Sequence, residues 1–254
     1  MNNFKNKVVI ITGGASGIGK ITATQFAQAG AIVVIADIDS HKGELVCGEL
    51  NSQGYSAMFV HADVSTAHGA SALIAETEKA HTKIDILVNN AGIEISGPMV
   101  DFSEDDFDKL IAVNFKSAFL CSKYALKGMM SRRAGVIINL ASVASFLAWP
   151  DDTIYSATKA AILLMTKGLA IECAPYSIRV NAVAPGIIDT PMTDRALHAY
   201  PDKEKIKVEK GKLHPIGRLG KPEEVARAIL FLSCESSTFI TGVALPVDGG
   251  YLAG

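Results

Sequence analysis

Tyr155 and Lys159 are four positions apart in a predicted helix, a spacing that places both side chains on one helix face. A free tyrosine has a pKa of about 10, and a neighbouring ammonium favours the phenolate and lowers that pKa. Such a phenol can exchange a proton with a bound molecule near neutral pH. Ser142 ends a predicted strand upstream, where its hydroxyl can hold an oxygen of the same molecule. Because Tyr-x-x-x-Lys also occurs by chance on surface helices, this interpretation depends on the surrounding elements.

A glycine-rich turn follows the first predicted strand, and residues 12–19 read Thr-Gly-Gly-Ala-Ser-Gly-Ile-Gly. Glycines let the backbone turn tightly and approach a pyrophosphate without an intervening Cβ. The helix predicted to follow directs its N-terminal amides and positive dipole end at the same group. A plain glycine-rich turn is the alternative, but the position between a buried strand and a helix favours a dinucleotide site. The predicted contacts here are Gly13, Ser16, Gly17, Ile18 and Gly19.

Asp37 ends the second predicted strand, where a carboxylate can accept hydrogen bonds from the hydroxyls of an adenosine ribose. The same charge repels the additional 2′-phosphate of NADP. A site for NADP would need Arg or Lys here or in the turn, which offers only Ala15 and Ser16. The sequence therefore favours NAD over NADP, with a simple strand-end turn at Asp37 as the alternative.

The apolar pattern alternates between short β-branched runs and longer helical segments. The predicted strands cover residues 8–11, 32–36, 57–60, 84–88, 135–140, 178–183 and 243–247. The predicted helices lie near residues 18–29, 41–53, 66–81, 103–131, 153–173 and 222–235. Strands without polar alternation are typical of a parallel sheet buried on both faces. We therefore predict a single α/β domain over residues 1–254, a doubly wound, mostly parallel, seven-stranded Rossmann-type sheet with helices on both faces.

The stretch at about 187–213 interrupts this alternation, because it is long and rich in Lys, Glu, Asp and His. It begins where the sixth predicted strand ends, and ligands of open α/β sheets bind beside the carboxyl ends of the strands. Long loops in compact domains are usually functional or disordered. We predict that this stretch is a substrate lid, with a solvated helical excursion as the alternative.

The composition excludes several classes of protein. Of 254 residues, 49% are hydrophobic and 20% charged, which allows a sizeable core. The net charge of −2 gives no electrostatic reason to expect nucleic acid or an anionic membrane as a partner. Neither the cysteines nor the histidines show metal-binding spacing, so no metal is expected. Without a signal-like N-terminus or an apolar run of membrane-spanning length, we expect a cytoplasmic protein.

Taken together, the motifs resemble the short-chain dehydrogenase/reductase family over essentially the whole chain. They are the turn at 12–19, the Asn-Asn-Ala-Gly segment at 89–92, Ser142, Tyr155 with Lys159, and Pro185 with Gly186. The resemblance implies an NAD(H)-dependent oxidoreductase that interconverts a secondary alcohol and a ketone by hydride transfer. It implies Tyr155 as the acid/base, and Lys159 as the modifier of its pKa and a ligand of the cofactor ribose. It also implies that Ser142 anchors the substrate oxygen and that Asn114 holds a proton-relay water.

Further cofactor contacts follow from the same resemblance. Asp63 and Val64 match adenine contacts, and Asn90 and Gly92 match the wall beside the adenosine. The implied nicotinamide contacts are Pro185, Gly186, Ile188 and Thr190. Each position has a structural alternative: Asp63 as a turn residue, Thr190 as a helix N-cap, and Asn114 as a residue that caps or kinks its helix.

The substrate is a small-molecule alcohol or ketone whose identity the sequence leaves open. Proximity to Gly92, Ser142 and Gly186 suggests these pocket candidates: Glu94, Ser96, Val143, Phe146, Trp149, Ile187 and Met192. Among them, Glu94, Trp149 and Met192 are the predicted substrate contacts together with Ser142. A lyase or isomerase that uses bound NAD is an alternative function, and so is a non-catalytic nucleotide sensor. The sensor would be favoured by loss of Tyr155 or Lys159, and both are present.

The resemblance also implies a homotetramer in which the helices near 103–131 and 153–173 pair across a two-fold axis. These helices carry more apolar residues than one sheet-facing stripe requires. The additional apolar residues are Ala112, Phe115, Phe119, Ala160, Ile162 and Leu163.

Overall fold

One seven-stranded sheet organises the chain in a computed structural model that describes residues 4–198 and 201–254. The strands are β1 (Val8–Thr12), β2 (Ile32–Asp37), β3 (Ser56–His61), β4 (Ile86–Asn89), β5 (Gly135–Leu140), β6 (Ile178–Pro185) and β7 (Ala244–Val247). Neighbouring strands are parallel throughout, in the order β3-β2-β1-β4-β5-β6-β7. The predicted fold is therefore confirmed, with strand ends that differ from the prediction by one or two residues.

Helices cover both faces of the sheet. α1 (Gly17–Gln28), α2 (Ser40–Ser52) and α9 (Pro222–Ser233) pack on one face, while α3 (Ala67–His81), α5 (Ser117–Arg132) and α6 (Thr153–Cys173) pack on the other. Val9 and Ile11 of β1 contact the first layer, and Val8 and Ile10 contact the second. Both sets are buried, which explains why the strands are apolar without alternation.

The predicted helix at 103–131 is not uniform. It consists of α4 (Glu104–Leu110), a π-helical segment at Ile111–Lys116, and α5. π-helical turns are frequent at functional sites, and this one contains the buried side chain of Asn114. The backbone therefore departs from a regular α-helix at Asn114.

Helix α6 corrects one expectation. The segment Thr153–Tyr176, with a mean hydropathy of 1.2, is long and apolar enough by length and composition to cross a membrane, although no such run was expected. In the folded chain α6 packs against β6 and buries Lys159 and Ile162. The core helices of globular domains have the same length and composition, so this property alone assigns no location.

The order of the strands reverses between β1 and β4, since successive units proceed to β2 and β3 on one side and to β5, β6 and β7 on the other. Open α/β sheets bind ligands in the crevice at such a reversal. The side chain of Asn90 joins the two sides of this crevice. Its Nδ2 donates hydrogen bonds to the carbonyls of Thr12 (2.9 Å) and Gly13 (3.1 Å). The chain end of β4 is thus tied to the glycine-rich turn after β1.

The insertion after β6 forms α7 (Pro191–Ala196) and α8 (Lys203–Gly211) beside the same edge of the sheet. Lys207 of α8 links the two helices, since its Nζ lies 2.8 Å from Asp189 Oδ1 and 2.7 Å from Asp194 Oδ1. Thr190 is the N-cap of α7, as the alternative for that residue stated. Residues 199 and 200 of the predicted lid lie outside the described part of the chain.

Candidate functional site

A cleft of about 860 Å³ runs along the carboxyl ends of the strands. The predicted residues that line it are Gly13, Ser16, Gly17, Ile18, Asp37, Asp63, Val64, Asn90, Gly92, Glu94, Ser96, Ser142, Val143, Trp149, Tyr155, Lys159, Pro185, Gly186, Ile187, Ile188, Thr190 and Met192. Three predicted residues, Gly19, Asn114 and Phe146, do not line it. One cleft therefore unites nearly all positions that are scattered over more than half of the sequence.

The turn after β1 exposes backbone amides to the cleft. Gly13 and Gly17 have φ angles of +64° and +51°, which favour glycine. Ser16 is the N-cap of α1 but forms no side-chain capping bond, so the first amides of the helix keep their hydrogen-bonding capacity. Gly19 has a packing role instead, because a Cβ there would collide with the carbonyl oxygen of Gly13. The turn thus matches the predicted anion-binding site, apart from Gly19.

The carboxylate of Asp37 is fixed at the far end of the cleft. Its Oδ2 accepts from the amide of Ala15 (3.0 Å), and its Oδ1 accepts from the amide of Asp39 (3.1 Å). Lys42 also lines the cleft there, but its Nζ lies 2.7 Å from Asp39 Oδ2. Both members of this ion pair are exposed to solvent.

Asp63 combines the predicted role with its structural alternative. Its Oδ1 accepts hydrogen bonds from the amide (3.0 Å) and the hydroxyl (2.6 Å) of Ser65, which makes it a turn residue after β3. The same residue and the buried Val64 line the cleft beside Asp37. The turn therefore presents both side chains at the end of the cleft where an adenine is expected.

The end of strand β5 and helix α6 bring Ser142, Tyr155 and Lys159 together. Lys159 Nζ donates to the carbonyl of Leu140 (2.9 Å) and lies 5.8 Å from the centre of the Tyr155 ring. Ser145 joins the two elements, since its hydroxyl donates to the carbonyl of Lys159 (2.7 Å) and accepts from the amide of Ser142 (3.3 Å). The predicted convergence of Ser142, Tyr155 and Lys159 is therefore present in the structure.

Asn114 does not line the cleft but bonds Ile93, which does. Its Oδ1 accepts from the amide of Ile93 (2.8 Å) and its Nδ2 donates to the carbonyl of the same residue (2.9 Å). These bonds hold the loop after β4 against the π-helical segment. Gly92 leaves space in front of Asn114, because a Cβ there would lie 3.4 Å from Asn114 Oδ1 and 3.7 Å from Lys159 Nζ.

In the free protein the pKa of Tyr155 is raised, whereas the lowered pKa was predicted for the site with oxidised NAD bound. Burial of the phenol is the main cause, and the carboxylates of Glu94 and Asp152 add to it, while a hydrogen bond with Ser142 opposes it. Burial also lowers the pKa of Lys159 to about 8, although Glu94 raises it. The ammonium is held at the end of β5, so its charge does not compensate for the desolvation of the phenol.

The opposite end of the cleft has polar and aromatic walls that sequence proximity only partly revealed. Ser96 donates to Asp152 Oδ1 at 2.5 Å, so the loop after β4 is joined to the start of α6. Glu94 is solvent-accessible within the cleft, but the surrounding protein limits its hydration and Asp152 repels it, which raises its pKa. Tyr251 packs edge-to-face on Trp149 at 5.8 Å.

Asp152 and Tyr251 are two of the cleft residues that sequence analysis missed at this end. Asp152 could have been found, since it lies three positions before Tyr155. Tyr251 carried no signal, because it is remote in sequence from every recognised motif and reaches the cleft only through the packing of the chain end.

Comparisons with known proteins agree with this geometry. A family model described as enoyl-(acyl carrier protein) reductase matches residues 13–252. An uncharacterized oxidoreductase of Thermotoga maritima is 43% identical over 251 residues, 99% of each chain. The NAD-dependent glycerol dehydrogenase of Listeria innocua is 39% identical over 249 residues, 98% of this chain and 95% of that one. The solved structure of levodione reductase has a TM-score of 0.95 at 31% identity, over 99% of this chain and 100% of that chain.

The chain belongs to the short-chain dehydrogenase/reductase family, because the family match and the relatives extend over nearly its whole length. It is an oxidoreductase of the class that acts on CH–OH groups.

The effect of Glu94 on Tyr155 can be measured directly. We expect Glu94→Gln to lower the pKa of the phenol, because the carboxylate disfavours the phenolate, so that phenolate appears at lower pH. The pKa of Lys159 should fall as well. NMR titration of ring-labelled tyrosine, with Tyr155→Phe to identify the signal, measures this change. Glu76→Gln on the exposed surface of α3 is the control. An identical Tyr155 titration in the wild type and in Glu94→Gln would contradict the assignment.

Proposed function

We propose that the protein is an NAD(H)-dependent oxidoreductase that interconverts a secondary alcohol and a ketone, with Tyr155 as the acid/base. The observation that carries this proposal is the convergence of Ser142, Tyr155 and Lys159 on the cleft that begins at the glycine-rich turn. A proton-transfer group at one end of a dinucleotide-shaped cleft is the arrangement that hydride transfer to or from a carbinol carbon requires.

NAD is favoured over NADP by the charges around the adenosine end. Asp37 places a carboxylate where the 2′-phosphate of NADP would lie, and Lys42 is paired with Asp39. The glycine-rich turn contains no Arg or Lys up to Ile18. A relative that is 39% identical is named as NAD-dependent, which agrees with this choice.

The cleft fits a dinucleotide in shape and in donor chemistry. The positive φ angles of Gly13 and Gly17 and the uncapped start of α1 provide a cradle for a pyrophosphate. We assign the adenosine half to Asp37, Asp63 and Val64, and the nicotinamide half to the segment from Pro185 to Thr190. When bound, the nicotinamide supplies a hydride acceptor or donor, and its oxidised form carries a positive charge.

Ser142, Tyr155 and Lys159 act on the substrate oxygen in this proposal. Ser142 holds the oxygen by a hydrogen bond, and Tyr155 takes the hydroxyl proton during oxidation or returns it during reduction. Lys159 donates one N–H to the carbonyl of Leu140, and its remaining N–H groups bind the cofactor ribose. A positive charge near the phenol must offset the burial and the carboxylates that raise the pKa of Tyr155 in the free protein.

A relay water is proposed in the space beside Gly92. The absent Cβ leaves room within hydrogen-bonding reach of Asn114 Oδ1, and Lys159 Nζ is close to the same point. A water there can pass a proton from Lys159 toward solvent, so that Tyr155 regains its starting state after each turnover. Asn114 then has two roles, since it also holds Ile93.

We propose that a small-molecule alcohol binds between Glu94, Trp149 and Met192, with Ser142 on its oxygen. These residues line the end of the cleft beside Tyr155. Glu94 supplies a hydrogen-bond acceptor for a second polar group of the substrate, and Trp149 supplies an apolar wall.

Replacement of the phenol tests the proposed reaction. A spectrophotometric screen with NAD and a panel of alcohols, sugars and hydroxysteroids first identifies a substrate. We then expect Tyr155→Phe to lower kcat by about a hundredfold or more, because general acid–base catalysis is lost. NADH binding should stay near the wild-type value. Tyr176→Phe, on a residue exposed at the surface, should leave both unchanged. More than a few per cent of wild-type activity in Tyr155→Phe would exclude Tyr155 as the acid/base.

Replacement of Asp37 tests the cofactor choice. We expect Asp37→Ala to narrow the ratio of kcat/KM for NAD over NADP, because repulsion and the ribose hydrogen bonds disappear together. Asp37→Asn is the matched variant, since it removes the charge and keeps an acceptor for the amide of Ala15. The narrowing should therefore be partial in Asp37→Asn. An unchanged ratio in both variants would contradict this role of Asp37.

The insertion at 187–213 is proposed to be a substrate lid. α7 and α8 are largely exposed, and Thr190, Met192 and Leu213 line the cleft. The ion pairs of Lys207 join the two helices to each other and to Asp189 rather than to the sheet. Such a unit can move as one piece, exclude water from the reacting atoms and carry specificity.

Hydrogen exchange tests the lid. Except at Ile187, whose amide bonds the buried His214, amides of this stretch should exchange quickly in the free protein, because few buried contacts hold the helices down. They should slow markedly when NADH and a substrate analogue are both bound. The amides of β1 serve as an internal control that stays protected in both states. Strong and equal protection of the insertion in both states would mean a fixed helical excursion.

A homotetramer is proposed from the outer surface of α5 and α6. Leu164 and Ile171 are 71% and 77% exposed on α6, and Phe119 is exposed on α5. Ile162, which was expected on this surface, is buried in the core instead. Unpaired apolar stripes on two neighbouring helices favour a symmetric contact between copies.

We expect light scattering to return four protomer masses, and Leu164→Asp with Ile171→Asp to reduce that mass. A single protomer mass for the wild type at micromolar concentration would contradict this assembly.

A cytoplasmic location is also proposed. All four cysteines are free thiols, as a reducing compartment requires. The near-neutral net charge supports neither nucleic acid nor a membrane surface as a partner. Recovery of the protein in the membrane or secreted fraction of fractionated cells would contradict this location.

A further inference from the structure

His214 occupies a junction that the proposed chemistry does not use. It follows the last turn of α8 and is only 2% exposed. Its Nε2 lies 3.1 Å from the amide nitrogen of Ile187, which donates the hydrogen bond. Ile187 belongs to the loop after β6 that also contains Gly186 and Ile188, and all three residues line the cleft. A buried side chain from the end of the insertion thus bonds the backbone of the proposed nicotinamide loop.

The direction of that hydrogen bond shows which tautomer the neutral imidazole adopts. Because the amide donates, Nε2 carries a lone pair, and the proton of the neutral ring is on Nδ1. Nδ1 is buried and has no hydrogen-bond partner among the described residues. A buried unpaired donor weakens folding, so its presence needs an explanation beyond stability.

The ring of His214 contacts the loop backbone directly. A Cβ on Gly186 would lie 2.7 Å from His214 Nε2 and 3.1 Å from the backbone of Asp248. Glycine is therefore required at 186 so that the imidazole and the chain end can both approach the loop. The position of the imidazole and the position of the loop backbone consequently depend on each other.

A second cavity adjoins this loop. It has a volume of about 330 Å³ and is lined by Ile187, Ile188 and His214, among others. Ile187 and Ile188 line both cavities, and Ile188 also packs in the core. Backbone bonds hold the flanks of the loop, from the Gly186 amide to Val247 O (3.1 Å) and from the Gly220 amide to Ile187 O (3.0 Å). The imidazole holds the Ile187 amide between them.

The same ring supports the aromatic wall of the cleft. Its centre lies 5.2 Å from that of Tyr251 in an edge-to-face contact, and Tyr251 packs in the same manner on Trp149. His214 is itself held in place, since its amide donates to Gly211 O (3.1 Å) and its carbonyl accepts from the Gly217 amide (2.7 Å). One residue therefore connects the end of α8, the loop after β6 and the wall near the chain end.

We propose that His214 is a positioning residue, which sets the loop of Gly186 and Ile187 against the nicotinamide and supports the wall formed by Trp149 and Tyr251. This inference rests on the proposed nicotinamide site. His214 does not line the main cleft, so it acts through the Ile187 amide and not on the reacting atoms. The adenosine half of the cofactor, at the other end of the cleft, should be indifferent to it.

Three substitutions distinguish the effect of the hydrogen-bond acceptor of His214 from the effect of its side-chain volume. His214→Gln can place an amide oxygen near the position of Nε2, His214→Asn is too short to do so, and His214→Leu fills space without an acceptor. Lys212→Ala, two residues away and exposed, is the control. The dissociation constants of ADP-ribose and NADH are measured by calorimetry, together with kcat on an alcohol that the wild type oxidises.

We expect His214→Leu and His214→Asn to weaken NADH binding about three- to tenfold, the effect of one lost hydrogen bond. ADP-ribose binding should change less than about twofold, since its contacts are distant, and kcat should fall with NADH affinity. His214→Gln should recover most of both losses. The comparison of Gln with Asn decides the matter even if the Leu variant does not fold, because both are polar.

Two results would overturn the inference while the proposed function stands. One is a His214→Asn variant whose NADH and ADP-ribose affinities equal those of the wild type. The other is an equal loss for both ligands that His214→Gln does not relieve, which would mean a general structural role. Failure of the wild type to bind NADH at all would instead contradict the proposed function, and this inference with it.

Discussion

The reversal of strand order between β1 and β4 is the constraint on which the rest of the structure depends. Parallel strands end at the same edge, and at this reversal the two chain segments diverge and leave a crevice. Asn90 joins the two sides of the crevice, since its amide side chain bonds the carbonyls of Thr12 and Gly13. The glycine-rich turn, the loop after β4 and the end of β5 all take their places relative to that bridge, and so does every group in the cleft.

Burial and charge oppose each other at the acid/base. The cleft removes the phenol of Tyr155 from water and places Glu94 and Asp152 near it, which raises its pKa, while burial lowers the pKa of Lys159. The free protein therefore holds a protonated phenol beside an ammonium that is bonded to Leu140 O. In the proposed function, the positive charge of an oxidised nicotinamide would change this balance in favour of the phenolate.

Local sequence patterns predicted correctly those features that depend on residues close together in the chain. The seven apolar runs predicted the seven strands, and the spacing of Tyr155 and Lys159 predicted a shared helix face. Prediction was wrong where tertiary surroundings override local preference. The helix at 103–131 contains a π-helical segment where Asn114 bonds Ile93, and Ile162 faces the core rather than a partner. The desolvation that raises the pKa of Tyr155 in the free protein also depends on tertiary surroundings that local sequence does not show.

By itself, the sequence determined the fold class, the glycine-rich turn, the carboxylate at Asp37 and the identity of Ser142, Tyr155 and Lys159 as a group. These properties follow from residue type, periodicity and spacing, which act over a few positions of the chain. Only the tertiary structure decided that Gly19 packs behind the turn, that Tyr251 lines the cleft, and that His214 bonds Ile187. Contacts of that kind join segments far apart in the chain, and their geometry exists only after the sheet has brought those segments to one edge.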